Sequence, residues 1–142
     1  MAAFPLMEAV TEFHRTFGHP VRYGRAQGEA ISEAELDLAV ELIREEFDEL
    51  VAATGTYLDN FPIERPPLDY IGTADALGDI AVTVFGLAIR LGIDMDAVLR
   101  AIHTSNMSKL GEDGKPIYRA DGKILKGKNY QPPKIAEALG LA

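Results

Sequence analysis

The stretch Ser32–Thr54, SEAELDLAVELIREEFDELVAAT, decides the architecture. Ser32 with Glu35 three positions on is a capping-box signature, and Leu36, Val40, Ile43, Phe47, Leu50 and Thr54 then recur at alternating steps of four and three. Gly55 supplies the stop. This periodicity predicts one long amphipathic helix with its main apolar stripe centred between Leu36, Ile43 and Phe47. Glu41, Arg44 and Asp48 fall on the far side, as solvated charges should. Glu46 and Glu49 do not: they share a sector with Ala39, Leu42 and Ala53, and Glu45 stands beside them next to Leu38.

Working outward, the remaining elements also read as helices. Leu6, Val10, Phe13 and Phe17 predict a first helix from about Pro5 to Phe17, stopped by Gly18 and Pro20. The segment Tyr57–Asp69 holds three prolines and reads as a loop. A third helix is expected over Thr73–Leu91, ended by Gly92, and a fourth from the N-cap Asp94 to about Lys109. Two Asp-Gly-Lys runs, at Asp113 and Asp121, suggest tight turns or a small hairpin, and Pro132-Pro133 can open a short last helix through Leu139. The expectation is an all-α protein, a four-helix bundle with an irregular basic tail over 109–142, in a single domain spanning 1–142.

The third helix is apolar almost all the way round, which predicts burial. Its exceptions align: Asp75, Asp79, Thr83, Gly86 and Arg90 fall within about 80° of one another on the wheel. Asp75 and Asp79 are like charges at i and i+4, an arrangement that destabilises a helix unless something neutralises them. Several carboxylates buried on two facing helices call for a cation, and oxygen ligands without His or Cys favour Mg²⁺, with Mn²⁺ as a substitute. The plainer alternative makes Glu45, Glu46 and Glu49 a surface run and Asp75 a helix cap.

Composition narrows the classes. The 142 residues carry a formal charge of −8, unevenly spread: 7 Lys/Arg against 18 Asp/Glu over 1–108, and 7 against 4 over 109–142. An acidic body argues against nucleic-acid binding, while a short basic tail suits a small anionic ligand. With no cysteine there is neither a disulfide nor a thiolate metal site. Met1–Ala9 has no signal-peptide pattern, and the apolar run Ile80–Ile89 is too short to span a bilayer, so no membrane contact and a cytoplasmic location are expected. A P-loop run is missing, and no His lies three residues after an acid of the cluster, as a ferritin-like di-iron site would need.

These residues carry a resemblance to a known family. Arg44-Glu45-Glu46-Phe47-Asp48-Glu49-Leu50 followed by Asp75-Ala76-Leu77-Gly78-Asp79 resembles the MazG-like and phosphoribosyl-ATP pyrophosphohydrolase-like group of all-α nucleotide pyrophosphatases. Further blocks extend it in order: Phe13-His14-Arg15-Thr16-Phe17-Gly18, His103-Thr104-Ser105-Asn106-Met107-Ser108-Lys109, Arg119-Ala120-Asp121-Gly122-Lys123, and Lys126-Gly127-Lys128-Asn129-Tyr130-Gln131-Pro132-Pro133, similar to the dimeric bacterial and phage members. The likeness implies a homodimer or dimer of dimers that cleaves a nucleoside triphosphate to monophosphate and pyrophosphate with magnesium. The substrate is a canonical or damaged (deoxy)nucleoside triphosphate or, alternatively, phosphoribosyl-ATP. One departure stands out. The second motif is usually Glu-x-x-Asp, but Ala76 occupies the Glu position and Asp75 precedes it, which also keeps open a dimer that binds metal and nucleotide without turnover.

Roles then follow as expectations. Glu46, Glu49 and Asp79 hold the metal with Asp75 as a fourth ligand, and Glu45 orients the attacking water or binds a second ion. Asn106 and Lys109 continue the stripe Met95, Leu99, Ile102 of the fourth helix and so should point inward, toward a base edge and a phosphate. Their plainer reading is a helix C-terminus, with Lys109 answering the dipole. Lys123, Lys126 and Lys128 are placed to close over the triphosphate. His14 and Phe17 face either the substrate base or a packed aromatic contact.

Overall fold

The computed structural model describes residues 2–22, 30–56 and 66–141. It contains five helices in order, α1 Leu6–Phe17, α2 Glu33–Thr54, α3 Tyr70–Leu91, α4 Met95–Met107 and α5 Ile135–Ala138, and no strand among the described residues. The all-α expectation holds. Most of the expected Tyr57–Asp69 loop lies outside the described residues. The chain divides into two compact units, 1–93 and 94–142, the second holding α4 and α5.

In the first unit α2 packs along α3, and α1 packs on α3. Ser32 caps α2 by accepting the Glu35 N–H at 3.1 Å. The return half of the capping box is diverted, because the Glu35 carboxylate turns to two guanidinium groups. Arg22 donates to both of its oxygens at 2.9 and 3.0 Å, and Arg90 Nη1 donates to Oε1 at 3.2 Å. Arg22 also donates to the Arg90 carbonyl at 2.6 Å and, through its own backbone N–H, to the Ile89 carbonyl at 3.0 Å. Two cations on one carboxylate tie the chain after α1 to the start of α2 and the end of α3. They hold the Glu35 pKa below the usual carboxylate range, Arg22 contributing most.

Three expectations for these helices are corrected. Helix α3 begins at Tyr70, three residues early, because Asp69 and not Asp75 is the cap and its Oδ1 accepts the Gly72 N–H at 2.9 Å. Helix α3 is buried broadly only in its second half, around Phe85, Ala88 and Ile89; in its first half Ala76 alone is buried among the described residues, and Ile71 near its start is 82 % exposed. On α2 the buried position is Ala39, with Val40 and Phe47 exposed. The covered face is rotated by about 50° from the apolar stripe, toward Glu46. Small residues decide this: Ala39 lets the two helix backbones approach, which the bulkier stripe residues do not.

Where α1 meets α3, His14 is packed with 4 % exposure. Its Nδ1 lies 2.9 Å from the Pro20 carbonyl, and a Cβ at Gly86 would sit 3.1 Å from its Nε2. Gly86 is therefore a close-approach glycine, and burial lowers the His14 pKa.

In the second unit, α4 is capped by Asp94, whose Oδ1 accepts the Ala97 N–H at 3.1 Å. The expected hairpin exists. The Arg119 N–H donates to the Lys123 carbonyl at 2.8 Å, the Leu125 N–H donates to the Ile117 carbonyl at 2.8 Å, and Tyr118 and Ile124 pair across the turn. The turn at Gly122 has φ +86°, which an L side chain rarely adopts.

The clamp makes a pH-dependent contribution to stability. Because the Glu35 pKa is depressed in the fold, its contribution is fully present above the ordinary carboxylate range and is lost as pH falls through the lowered value. Glu35→Gln, which leaves two facing guanidinium groups, should cost about 3 kcal/mol at neutral pH. That cost should shrink in strong acid, as read by thermal unfolding of both proteins across pH; a difference that does not vary with pH would refute it.

Candidate functional site

Glu46 lies inside the covered face of α2 and is the partly buried member of the acid cluster. Its Oε2 is buried and accepts no hydrogen bond. Burial pushes its pKa up, and the negative charges of Glu49, Asp79, Glu45 and Asp75 push in the same direction. The other four acids singled out from sequence, two on α2 and two on α3, thus lie within electrostatic reach of Glu46. The predicted burial of the others is corrected: Glu45, Glu49, Asp75 and Asp79 are exposed, because in the first half of α3 only a narrow line through Ala76 is covered and the aspartates flank it. Among the described residues no salt bridge involves any of these five acids. The solvated charges of the far face, by contrast, do pair, Arg44 with Glu41 and, at 3.3 Å, with Asp48.

The chemistry of this donor set fits a hard divalent cation. It offers carboxylate oxygens only, one of them buried and without a partner, on two helices held side by side. Among the described residues no three His, Asp or Glu side chains already converge into a coordination cage. The repulsion falls on Glu46, the partly buried member of the cluster.

The polar stripe read along α3 separates into distinct jobs. Asp75 and Asp79 face the acids of α2. The Thr83 hydroxyl donates back to the Asp79 and Ile80 carbonyls at 3.0 Å. Gly86 admits His14, and Arg90, 7 % exposed, is taken by Glu35. His14 is thus a packed residue, whereas Phe17 is 66 % exposed and in ring contact with Phe13.

Within the second unit, Asn106 is exposed, and Lys109 Nζ donates to its Oδ1 at 2.8 Å. The expected inward stripe of α4 is corrected as well: Leu99 is 44 % exposed and Ile102 is exposed. The covered position of α4 is Ser105, whose hydroxyl donates to the Gln131 carbonyl at 2.7 Å, while Ser108 Oγ accepts the Gln131 N–H at 2.9 Å. Two serines hydrogen-bonding an extended strap choose the face that α4 turns to its own unit, and the apolar stripe stays open there. Of the tail lysines, Lys126 lies 4.4 Å from the centre of the Tyr130 ring, Lys128 pairs with Glu112 at 3.3 Å, and Lys123 is exposed.

Sequence reading missed Arg22, the paired role of Glu35, and the serine strap. Arg22 follows no periodic element, and nothing in its local sequence marks it. Thr73 was also missed; its hydroxyl is buried and, like Glu46, without a hydrogen-bond partner.

With this geometry in view, comparison with known proteins is informative. A family model described as phosphoribosyl-ATP pyrophosphohydrolase matches residues 10–106, which spans α1 to α4 and every acid of the cluster. The chain belongs to the phosphoribosyl-ATP pyrophosphohydrolase family. Membership in that family makes the chain a hydrolase of the pyrophosphohydrolase type. A solved structure from Exiguobacterium sp. 255-15, provisionally named an NTP pyrophosphohydrolase, is similar at 24% identity over 99% of this chain and 96% of that one, with a TM-score of 0.48. No protein among those of curated function matches the chain. Among the described residues no single helix is long and apolar enough to cross a membrane.

The electrostatics of Glu46 set a testable trade-off. With its pKa raised in the fold, Glu46 favours folding only while protonated, below the ordinary carboxylate range, and that contribution is lost as pH rises through the raised value. At neutral pH the ionised side chain is a net cost. Glu46→Gln should therefore stabilise the protein by about 1 kcal/mol, or roughly 3 °C in Tm, when measured without divalent metal. An unchanged or lower Tm would mean that the carboxylate is already neutralised.

Proposed function

We propose that the protein hydrolyses a (deoxy)nucleoside triphosphate between the α- and β-phosphates, releasing monophosphate and pyrophosphate, as a housecleaner of the cytoplasmic nucleotide pool. The observation that carries this reading is the unpartnered Glu46 carboxylate among four other acids on two packed helices, inside the region matched by the family. Glu46, Glu49, Asp75 and Asp79 would hold Mg²⁺, or Mn²⁺ in its place. When bound, the ion neutralises charge on the phosphates and lowers the pKa of water. Glu45, on the exposed flank beside Glu46, orients the attacking water and accepts its proton. Asn106 and Lys109 would meet a base and a phosphate, Lys123 and Lys126 would close over a triphosphate, and Phe17 would offer a ring to a base, while His14 packs against Gly86.

The family description favours a second substrate, phosphoribosyl-ATP, which presents the same triphosphate chemistry. The deciding experiment incubates the protein with Mg²⁺ or Mn²⁺ and a nucleotide panel that includes phosphoribosyl-ATP, scored for monophosphate and pyrophosphate. Glu46→Ala and Asp79→Ala should each lower kcat by about 10³-fold or more while the protein stays folded. Orthophosphate release would mean a different reaction class. No release from any substrate would favour the binding-only reading that Ala76 at the usual Glu position keeps open.

The same reading includes self-association. Leu38, Val40, Leu42 and Phe47 on α2 and Ile71, Leu77 and Val82 on α3 are exposed apolar side chains, more than a monomer normally leaves uncovered. A homodimer or dimer of dimers would cover them. Sedimentation equilibrium should give at least twice the mass of the chain, and a monomer at all concentrations would refute this part.

A further inference from the structure

The Arg22–Glu35–Arg90 cluster has no role in the reaction just proposed, yet its position relative to the acids is regular. Glu46 follows Glu35 by eleven residues on α2, and Asp79 precedes Arg90 by eleven on α3. Eleven residues make three helical turns with an angular error of about 20°, and a rise of roughly 16 Å. On each helix the clamp residue and the acid therefore lie on one face, three turns apart. Because Glu35 pairs with Arg90 across the two antiparallel helices, the same register sets Glu46 opposite Asp79, and the negative charge of Asp79 is indeed felt at Glu46.

The cluster is built to define that register sharply. A guanidinium has a planar fork and cannot be neutralised, and Arg90 is almost fully buried where it meets Glu35. Arg22 closes the triangle by bonding both Glu35 oxygens and the Arg90 carbonyl. A slip of α2 along α3 by one turn would break these bonds and leave buried charge unpaired. At the acid end the Asp69 N–H donates to the Ala53 carbonyl at 2.9 Å and Ala76 is buried, but no side-chain ion pair among the described residues locks the helices there, like charges repel and Ala76 has no bulk to interlock.

We infer that Arg22, Glu35 and Arg90 are positioning residues, whose ion-paired clamp sets the register of α2 on α3 and so places Glu46 against Asp79 three turns away. The inference rests on reading the acid cluster as the metal site, but its geometric half is testable alone. The chain has no cysteine, so spin labels introduced through Asp48→Cys on α2 and Gly78→Cys on α3 are unique, and a side chain at Gly78 meets open space. Labelled chains diluted into excess unlabelled chains report the separation within one chain by pulsed electron spin resonance. Mn²⁺ affinity is measured in parallel on unlabelled protein.

Arg90→Met and Glu35→Gln should shift or broaden the label separation by up to about 5 Å, one turn of helix, and weaken Mn²⁺ binding at least about tenfold. Arg90→Lys, which keeps the charge but not the fork, should fall between these variants and the wild type, and serves if Arg90→Met does not fold. Val10→Ala, a buried change on α1, controls for lost stability and should leave both readouts at the wild-type value even with a lowered Tm. An unchanged separation in the Arg90 variants, or an equal change in Val10→Ala, would overturn the proposal. A shifted separation with no Mn²⁺ binding by the wild type would support the clamp and refute the metal reading of the acids instead.

Discussion

Two carboxylates on one helix face experience opposite surroundings. Glu35 sits between two guanidinium groups and is held strongly ionised, while Glu46, three turns further along α2, sits among four other acids with a buried oxygen that nothing satisfies. The first contact binds the helices together and the second drives them apart. A fold tolerates the second only if contacts such as the first offset it, and two guanidinium groups on one carboxylate do so here.

The contrast explains how the first unit is organised. Its buried apolar positions, Val10, Ala39, Ala76, Phe85, Ala88 and Ile89, include three alanines, so close helix approach rather than large buried side chains defines the interface. Such an interface resists sliding poorly, because small side chains form shallow ridges. Ion pairs with fixed geometry supply what the packing lacks. The acid end carries no ion pair of its five acids among the described residues, and is held by the Asp69–Ala53 backbone hydrogen bond and the approach at Ala76.

Much of this was legible in the residues taken alone. The capping serine, the glycine stops at Gly18, Gly55 and Gly92, and the four-three spacing of α2 are local rules, and each appears where it was expected. The five acids could be singled out because a charged residue in an apolar sector of a helical wheel is conspicuous without any knowledge of what faces it. The ordered blocks around them also sufficed to name the family, since motif order is a property of the chain and not of its packing.

What the residues could not reveal was which flank of a broadly apolar helix is covered. Leu36, Val40 and Phe47 outvote Ala39 by hydrophobicity, yet Ala39 is buried, because backbone approach is decided jointly by two helices and no single sequence window contains both. The same holds for the clamp: Arg22 and Arg90 stand far apart in sequence, and only tertiary structure makes them share one carboxylate. Sequence by itself determined the helices, their ends and the acids they carry, since these depend on neighbours along the chain. Tertiary structure decided which acid is partly buried, which face of α4 takes the strap and how the polar stripe of α3 is divided, since burial and long-range pairing exist only once separate segments meet.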